Sequence, residues 1–286
     1  MHSNSTPAER AAITSEAGVA SSRRRARAKA LAENAAPVLF GIVMLAVWEG
    51  AVRYYQLPFY LLPGPVLIAE TLYKEFGSLF PSLLYTVSIT IKAFLAAAIG
   101  GLLIGMVFTT SRWVERTLFP YAVILQVTPV VAIAPLIIIW ARNTELALLI
   151  CAWLVAFFPV VSNTAMGLNS VDRNLEDMFQ LYRASKLQRL FMLRLPSALP
   201  YYLAGLRISG GLALIGAVVA EFVAGTGGAK TGLAYRILEA GYRLQIPRMF
   251  AALALISLTG IVIFFALSLL QRWALRHWHE SAIRDT

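Results

Sequence analysis

Charged residues are scarce in this chain of 286 residues: only 14% are Asp, Glu, Lys or Arg, whereas 58% are hydrophobic. Soluble domains carry about 25% charged residues, so this composition leaves too little charge to cover a water-exposed surface. The same numbers exclude a disordered chain, which is poor in hydrophobic residues. The single cysteine, Cys151, excludes a disulfide framework. An integral membrane protein is the class that remains.

Acidic residues are fewer than basic ones, 15 against 25, and the formal net charge is +10. A basic soluble protein would suggest nucleic-acid binding, but in a membrane protein cations collect in cytoplasmic loops. We therefore expect a membrane and no nucleic acid as partner. The three histidines, His2, His277 and His279, lie near the two ends, so no metal site is expected within the membrane. No Gly-x-x-x-x-Gly-Lys-Ser/Thr motif is present, so no ATP site of that kind is expected.

Hydrophobic runs long enough to cross a bilayer, about 20 residues, predict an all-α membrane protein with about six transmembrane helices. Between the first two runs, three prolines in residues 57–65 exclude a helix interior, and a short amphipathic helix is expected over 66–78. The third run contains Pro120, Pro129 and Pro135. The six predicted spans are 37–55, 84–109, 117–140, 145–168, 201–224 and 249–271.

The distribution of basic residues predicts the orientation of these spans. Residues 1–35 are interpreted as a flexible basic cytoplasmic tail. A cleaved signal peptide over 23–50 is the alternative, disfavoured because the apolar run continues to Val52 without a cleavage pattern. With the N-terminus inside, inner segments hold 17 of the 25 Lys and Arg residues, outer segments hold 7, and Lys92 lies in the second span. Both termini are therefore predicted to be cytoplasmic, with a transmembrane domain over 36–280 and a C-terminal tail over 281–286.

The longest inner loop, residues 169–200, is predicted to form a hairpin of two short amphipathic helices that meet around residues 183–185. Ser185 is expected to cap the second helix. The hairpin either packs on the inner ends of its own spans or docks a soluble partner. Residues of the two helical faces recur at intervals of three and four: Leu175, Met178, Phe179 and Tyr182, then Leu187, Leu190, Phe191 and Leu193 or Arg194.

Residues 172–200 resemble the cytoplasmic loop of permease subunits of binding-protein-dependent ABC importers. That loop reads Glu-Ala-Ala, three residues, Gly, nine residues, Ile, one residue, Leu-Pro. Aligning Leu195 and Pro196 with its Leu-Pro places Asp177 on the Glu and Arg183 on the Gly. The loop therefore departs from the family pattern at Arg183.

Further segments are similar to the nitrate, sulfonate and taurine permeases, so that the resemblance covers about residues 37–280. Their order and spacing, rather than any one of them, carry the resemblance. The segments are 61–65 (Leu-Leu-Pro-Gly-Pro), 126–136, 157–164, 199–207, 219–222, 232–235 and the pair Trp278-His279.

The resemblance implies a type I ABC importer permease fold in a bacterial inner membrane, multi-pass, with a coupling-helix hairpin over about 172–196. It implies an ABC ATPase subunit in two copies, an extracytoplasmic solute-binding protein, and a permease homodimer. The chain itself would be no enzyme and would bind no cofactor, since ATP and Mg would be held by the ATPase. The residues that the resemblance assigns to coupling with the ATPase are Asp177, Arg183, Ala184, Ser185, Leu195 and Pro196.

Polar residues inside the spans mark a predicted substrate pathway, because buried polar groups in a membrane usually face a cavity or a partner. Interhelical hydrogen bonding is the alternative for the neutral ones. The expected solute is small and polar or anionic: a sulfonate, taurine, nitrate or a pyrimidine-like precursor. The pathway residues are Gln126, Thr128, Ser162, Asn163 and Glu221.

Other features leave alternatives open. The pair Gly101-x-x-x-Gly105 permits close helix contact, within the chain more than at a dimer seam. Glu49 and Lys92 either snorkel or pair with each other. An ion-coupled secondary transporter would use Glu49, Lys92 and Glu221 as a proton relay, but it leaves the hairpin unexplained. A membrane scaffold or enzyme is the other rival, and the chain lacks a catalytic cluster.

Overall fold

The structure, a computed structural model, describes residues 35–110, 112–224 and 231–276. The described residues form helices joined by short turns, without β-strands, as the lengths of the hydrophobic runs predicted. The predicted tails and the Trp278-His279 pair lie outside these ranges, apart from Ala35. The elements are α1 (Ala35–Tyr54), α2 (Pro65–Thr110), α3 (Arg112–Val127), α4 (Val130–Ala141), α5 (Thr144–Leu168), α6 (Arg173–Leu181), α7 (Lys186–Arg189), a π-helical turn (Leu190–Arg194), α8 (Leu195–Ala224), α9 (Leu233–Tyr242) and α10 (Ile246–Leu275).

The described residues contain five helical stretches that are long and apolar enough to cross a membrane. They are α1, α2, α5, α8 with the helical segment that precedes it, and α10. The sequential pair α3 and α4 provides a sixth crossing if both halves are counted as one broken span. The prediction of about six transmembrane helices is therefore confirmed.

The predicted third span, 117–140, is made up of parts of α3 and α4 rather than of one continuous helix. It is broken at Thr128-Pro129, where the two halves meet at 97°. Pro129 has no N–H to continue the helical hydrogen bonds, and its ring disfavours the α conformation for Thr128. Pro129 instead stands at the N-cap of α4 in an extended conformation. The break places irregular backbone within an apolar segment, which is tolerated where protein or water covers it.

Two boundaries also differ from the prediction. The expected amphipathic helix over 66–78 and the second span form one helix of 46 residues, α2, with Pro81 inside it. The fifth span starts at Leu195 rather than at residue 201, because the π-helical turn runs directly into α8. Pro196 and Pro200 therefore lie within the first turns of α8 and do not separate it from the hairpin.

Small residues set the contact between α5, α8 and α2. A Cβ atom on Gly216 of α8 would lie 2.8 Å from the Cα of Ala152. On α2, a Cβ on Gly101 would lie 2.6 Å from Val160 of α5. Glycine is required at such approaches, since any side chain would push the helices apart. The prediction that Gly101 packs within the chain is confirmed.

Contacts divide the chain into two units, residues 1–67 and 68–286. In the described part of the first unit, Glu49 of α1 accepts hydrogen bonds from Arg53 Nε at 2.6 Å and from the backbone N–H of Val66 at 3.1 Å. A Cβ on Gly64 would lie 2.5 Å from the Glu49 carboxylate. Glu49 thus caps the start of α2, and Gly64 makes room for it.

Candidate functional site

The hairpin of α6, α7 and the π-helical turn forms as the sequence predicted. The Asp172 side chain accepts a hydrogen bond from the N–H of Asn174 at 2.7 Å and begins α6. Ser185 Oγ accepts from the N–H of Gln188 at 3.2 Å, while Gln188 Oε1 accepts from the N–H of Ser185 at 2.8 Å. This reciprocal pair is a capping box. It confirms the prediction that Ser185 caps the second helix.

Arg183 occupies the tight turn between the two helices. Its φ is +51°, in the left-handed region that favours glycine. The N–H of Arg183 donates to Gln180 O at 2.9 Å, and that of Ala184 donates to Phe179 O at 2.9 Å. These two bonds make up a Schellman motif, the usual helix ending with glycine at the left-handed position. The turn is therefore kept although arginine replaces the glycine of the resembled motif.

We expect Arg183→Gly to stabilise the hairpin. A non-glycine residue in the left-handed region costs roughly 1–2 kcal/mol, and the extra freedom of glycine in the unfolded chain offsets part of that gain. Amide hydrogen exchange in the hairpin should slow. Arg189→Gly is the matched control, because Arg189 is right-handed helical, at φ −62°, and glycine there should speed exchange. Faster exchange in Arg183→Gly would show that the turn is not strained.

An ion pair ties the two sides of the hairpin together. The Arg194 guanidinium donates to the carboxylate of Glu176, and both side chains are about one quarter exposed. Sequence reasoning missed this pair, since nothing in the spacing of two charges 18 residues apart indicates a contact. The pair links α6 to the π-helical turn.

Apolar side chains of the hairpin are exposed. Leu181 is 84% exposed and Leu187 is 67% exposed. Where the hairpin faces the end of α2, a cavity of about 330 Å³ separates them, lined in part by Met106 and Thr109. The hairpin therefore buries only part of its apolar face in this structure: Leu193 is buried and Phe179 and Leu190 are half-buried. Exposed contiguous apolar surface of this kind marks interaction sites. The other large apolar residues exposed there are Leu175, Met178, Tyr182, Phe191 and Met192.

The six predicted coupling residues lie on this hairpin and at its junction with α8. Asp177, Arg183 and Ser185 are exposed, and Ala184 is half-buried at the end of the turn. Leu195 and Pro196 are half-buried in the first turn of α8. The structure thus places Arg183, Ala184 and Ser185 at one bend, Asp177 in the middle of α6, and the other two at the root of the hairpin.

The neutral pathway residues lie on different elements. Gln126 is exposed on α3, and Thr128 at the 97° break donates its hydroxyl to Ile124 O at 2.7 Å. On α5, Ser162 is half-buried. Asn163 donates to Pro159 O of its own helix at 2.8 Å, and its Cβ lies 2.9 Å from where a Cβ of Gly205 would be. Asn163 is therefore part of the α5–α8 contact in this conformation. The side chain of Gln126 is exposed and accessible to water or to another protein chain.

Glu221, the fifth pathway residue, is buried near the end of α8, with 3% of its surface exposed. Thr86 Oγ1 of α2 lies 2.8 Å from its Oε1, and the N–H of Ala234 in α9 donates to its Oε2 at 3.1 Å. A Cβ on Gly232 would lie 2.1 Å from its carboxyl carbon. In this conformation the carboxylate joins three helices and is covered by them.

The three ionisable residues of the relay alternative have separate partners. Lys92 of α2 forms an ion pair of 2.7 Å with Glu145 of α5. Glu49 pairs with Arg53 of its own helix at 2.6 Å. Glu221 bonds neutral donors. These contacts satisfy each group locally and give no support to a relay.

The long apolar helices together define a multi-pass membrane component that carries a hairpin with exposed apolar side chains at one end of its spans. The chain belongs to the family described as binding-protein-dependent transport system inner membrane component, which matches residues 97–278. It is thus a permease subunit of the ABC importer class, as the motifs indicated, and not a catalytic subunit.

Individual relatives agree with the family and differ in their named solutes. The formylaminopyrimidine transport permease protein ThiX of Halalkalibacterium halodurans is 33% identical over 236 residues, covering 82% of this chain and 92% of that protein. The putative aliphatic sulfonates transport permease protein SsuC of Bacillus subtilis is 32% identical, covering 85% and 87%. A crystal structure of an amino acid ABC transporter with histidines shares the fold, with TM-score 0.58, 17% identity and coverage of 70% and 95%.

Proposed function

We propose that this chain forms the translocation pathway for a small polar or anionic solute, in a complex driven by a separate ATPase. Two copies of the permease would enclose the pathway, two ATPase subunits would dock at the hairpin, and an extracytoplasmic binding protein would deliver the solute. The single observation that carries the proposal is the exposed apolar face of the hairpin, held rigid by two caps and an ion pair. A transporter driven by ions alone has no use for such a surface.

The arrangement supports a mechanical route from the hairpin to the membrane. The π-helical turn joins the hairpin to α8 without a break. Force applied to the hairpin is therefore passed along α8, which packs tightly on α5 through glycines. Closure of the ATPase pair would move α5 and α8 as one unit. The pathway would then close on one side of the membrane and open on the other. Each state needs its own stabilising contacts for such an exchange.

The pathway proposal places the solute beside the break between α3 and α4 and beside the polar residues of α5. Gln126, Thr128, Ser162 and Asn163 offer neutral hydrogen-bonding groups, and weak distributed contacts suit a solute that must leave again. Glu221 enters the pathway only if α9 moves away from it. Sulfonates, taurine, nitrate and pyrimidine-like precursors all remain candidate solutes.

Uptake in reconstituted vesicles tests this function. The chain is co-expressed with an ABC ATPase and a solute-binding protein from the same organism, and taurine, an alkanesulfonate, nitrate and a formylaminopyrimidine are offered in turn. We expect uptake of one solute class that requires ATP and all three components. Uptake by the chain alone, driven by a proton gradient, would instead establish the secondary transporter.

Both termini are proposed to be cytoplasmic, and this orientation requires the bent pair α3 and α4 to count as one crossing. If the pair were re-entrant, the hairpin would lie outside the cell. In a Cys151→Ala chain, we expect a membrane-impermeant thiol reagent to label Tyr242→Cys from outside and to spare Ser170→Cys. Both positions are exposed and α8 separates them, so the reverse pattern would overturn the six-span topology.

A further inference from the structure

A stripe of polar residues runs along the first half of α2. Glu75, Ser78, Ser82 and Thr86 are spaced by three or four residues and therefore share one face of the helix. Ser82 and Thr86 are buried, with 2% and 1% of their surface exposed. This stripe, which we term the polar seam, receives residues from α9 and α10 at the end of α8 opposite the hairpin.

Polar contacts hold α9 and α10 to the polar seam. Arg236 Nε of α9 donates to Ser82 Oγ at 3.1 Å, and Arg248 of α10 donates to Ser78 Oγ at 3.3 Å. Arg236 also bonds Glu239 of α9 at 2.9 Å, and this hydrogen bond holds the pKa of Glu239 below its usual value. The cations of α9 are thus kept in place by an acid that stays ionised.

Glu221 lies at the end of the polar seam, beside Thr86. Its carboxylate accepts from Thr86 and from Ala234, while Thr86 Oγ1 itself accepts from the N–H of Leu233 at 2.9 Å. One carboxylate and one hydroxyl therefore satisfy two N–H groups at the start of α9, which would otherwise be buried without partners. Gly232 has no side chain, so this carboxylate can approach the backbone.

The polar seam differs in kind from the glycine contacts of α5 and α8. Separating helices that pack through small residues loses close van der Waals contacts, and hydrogen bonds to water do not replace these contacts. The hydrogen bonds of the polar seam can be exchanged for hydrogen bonds to water once water reaches them. A membrane protein that opens to water at one end will therefore part most easily along such a seam.

We propose that Glu221 is a positioning residue that seats α9 on α2, and that the polar seam separates and re-forms as this end of the pathway opens and closes. The proposal rests on the transport function proposed above. It accounts for Glu221 being buried and bonded here, because this conformation then has the seam closed.

Substitutions on α2 and α8 distinguish the positioning of α9 by hydrogen bonds from simple packing. Thr86→Val keeps the shape of the side chain but removes the hydroxyl between Glu221 and Leu233. Thr90→Val is the matched control, since Thr90 is equally buried and its hydroxyl bonds only Thr86 O of its own helix, at 2.8 Å. Thr86→Ser restores the hydroxyl. Glu221→Gln replaces one acceptor oxygen with a donor. It should loosen the seating of α9 on α2 in the same way as Thr86→Val.

Distances between spin labels supply the measurement. In a Cys151→Ala background, labels replace the exposed Tyr73 of α2 and Tyr242 of α9, and a reference pair replaces Leu146 of α5 and Ile215 of α8. The full-length chain is measured in nanodiscs, alone and in complex with its ATPase, free of nucleotide and trapped with ATP and vanadate.

We expect the distance between α2 and α9 to differ between the two nucleotide states, and Thr86→Val and Glu221→Gln to add a second, longer distance in the chain alone. Thr86→Ser and Thr90→Val should match the unsubstituted chain, and the reference pair should not change. The proposal is overturned if the distance between α2 and α9 is the same with and without nucleotide, or if Thr86→Val and Thr90→Val have equal effects on it. Failure to assemble with an ATPase would count against the proposed function instead, while the distances in the isolated chain still decide the seating of α9.

Discussion

Ala184→Glu is expected to abolish stimulation of ATP hydrolysis by the loaded binding protein while the chain still inserts into the membrane. Ala184 ends the hairpin turn, is half-buried, and donates its N–H to Phe179 O at 2.9 Å. A glutamate there places a carboxylate in the proposed contact with the ATPase. Leaving a charge buried without a partner costs about 3–5 kcal/mol, which is more than a hundredfold in affinity.

The control for this prediction places the same charge elsewhere on the hairpin. Asn174→Glu adds a carboxylate in the first turn of α6, where the helix dipole favours it. We expect this variant to retain stimulated hydrolysis and to co-purify with the ATPase in normal amount. Full stimulation in Ala184→Glu would remove the bend from the coupling route. An equal loss in both variants would mean that the whole hairpin, rather than its bend, tolerates no added charge.

Local sequence signals predicted the features that depend on neighbours along the chain. The lengths of the apolar runs located the spans, and the serine between the two amphipathic segments of the hairpin located the cap at Ser185. Even the turn at Arg183 was located from the Leu-Pro that follows it, although its residue type argues against a left-handed conformation. Such signals predict the structure correctly because caps, turns and apolar faces are formed by residues close in sequence.

Features that join distant parts of the chain could not be predicted in the same way. Glu221 was predicted to line the substrate pathway, and its partners Thr86 and Ala234, which come from two other helices, were not predicted. The 97° break had a signal in Pro129, yet the same proline is compatible with a mild kink, and surrounding helices decide the angle. The ion pair of Glu176 with Arg194 likewise depends on how the hairpin folds back.

Gly216→Ala is expected to destabilise the chain strongly, although alanine is the better helix former. A Cβ at Gly216 would lie 2.8 Å from the Cα of Ala152 and 3.3 Å from its carbonyl oxygen. Backbone atoms cannot rotate away as a side chain can, so α5 and α8 would have to separate along their length. Overpacking of this kind costs typically 1–3 kcal/mol, more than the gain of about 1 kcal/mol from replacing glycine in a helix.

Gly211, five residues earlier on α8, provides the comparison, since a Cβ there would have no neighbour within 4 Å. Gly211→Ala should therefore raise the thermal unfolding temperature of the purified chain in detergent, whereas Gly216→Ala should lower it. Because both variants add one methyl group to the same helix, propensity and unfolded-state effects are matched between them. The difference measures the contact between α5 and α8 alone. Equal shifts would mean that this contact adjusts freely, and α8 could then not pass a movement of the hairpin to α5.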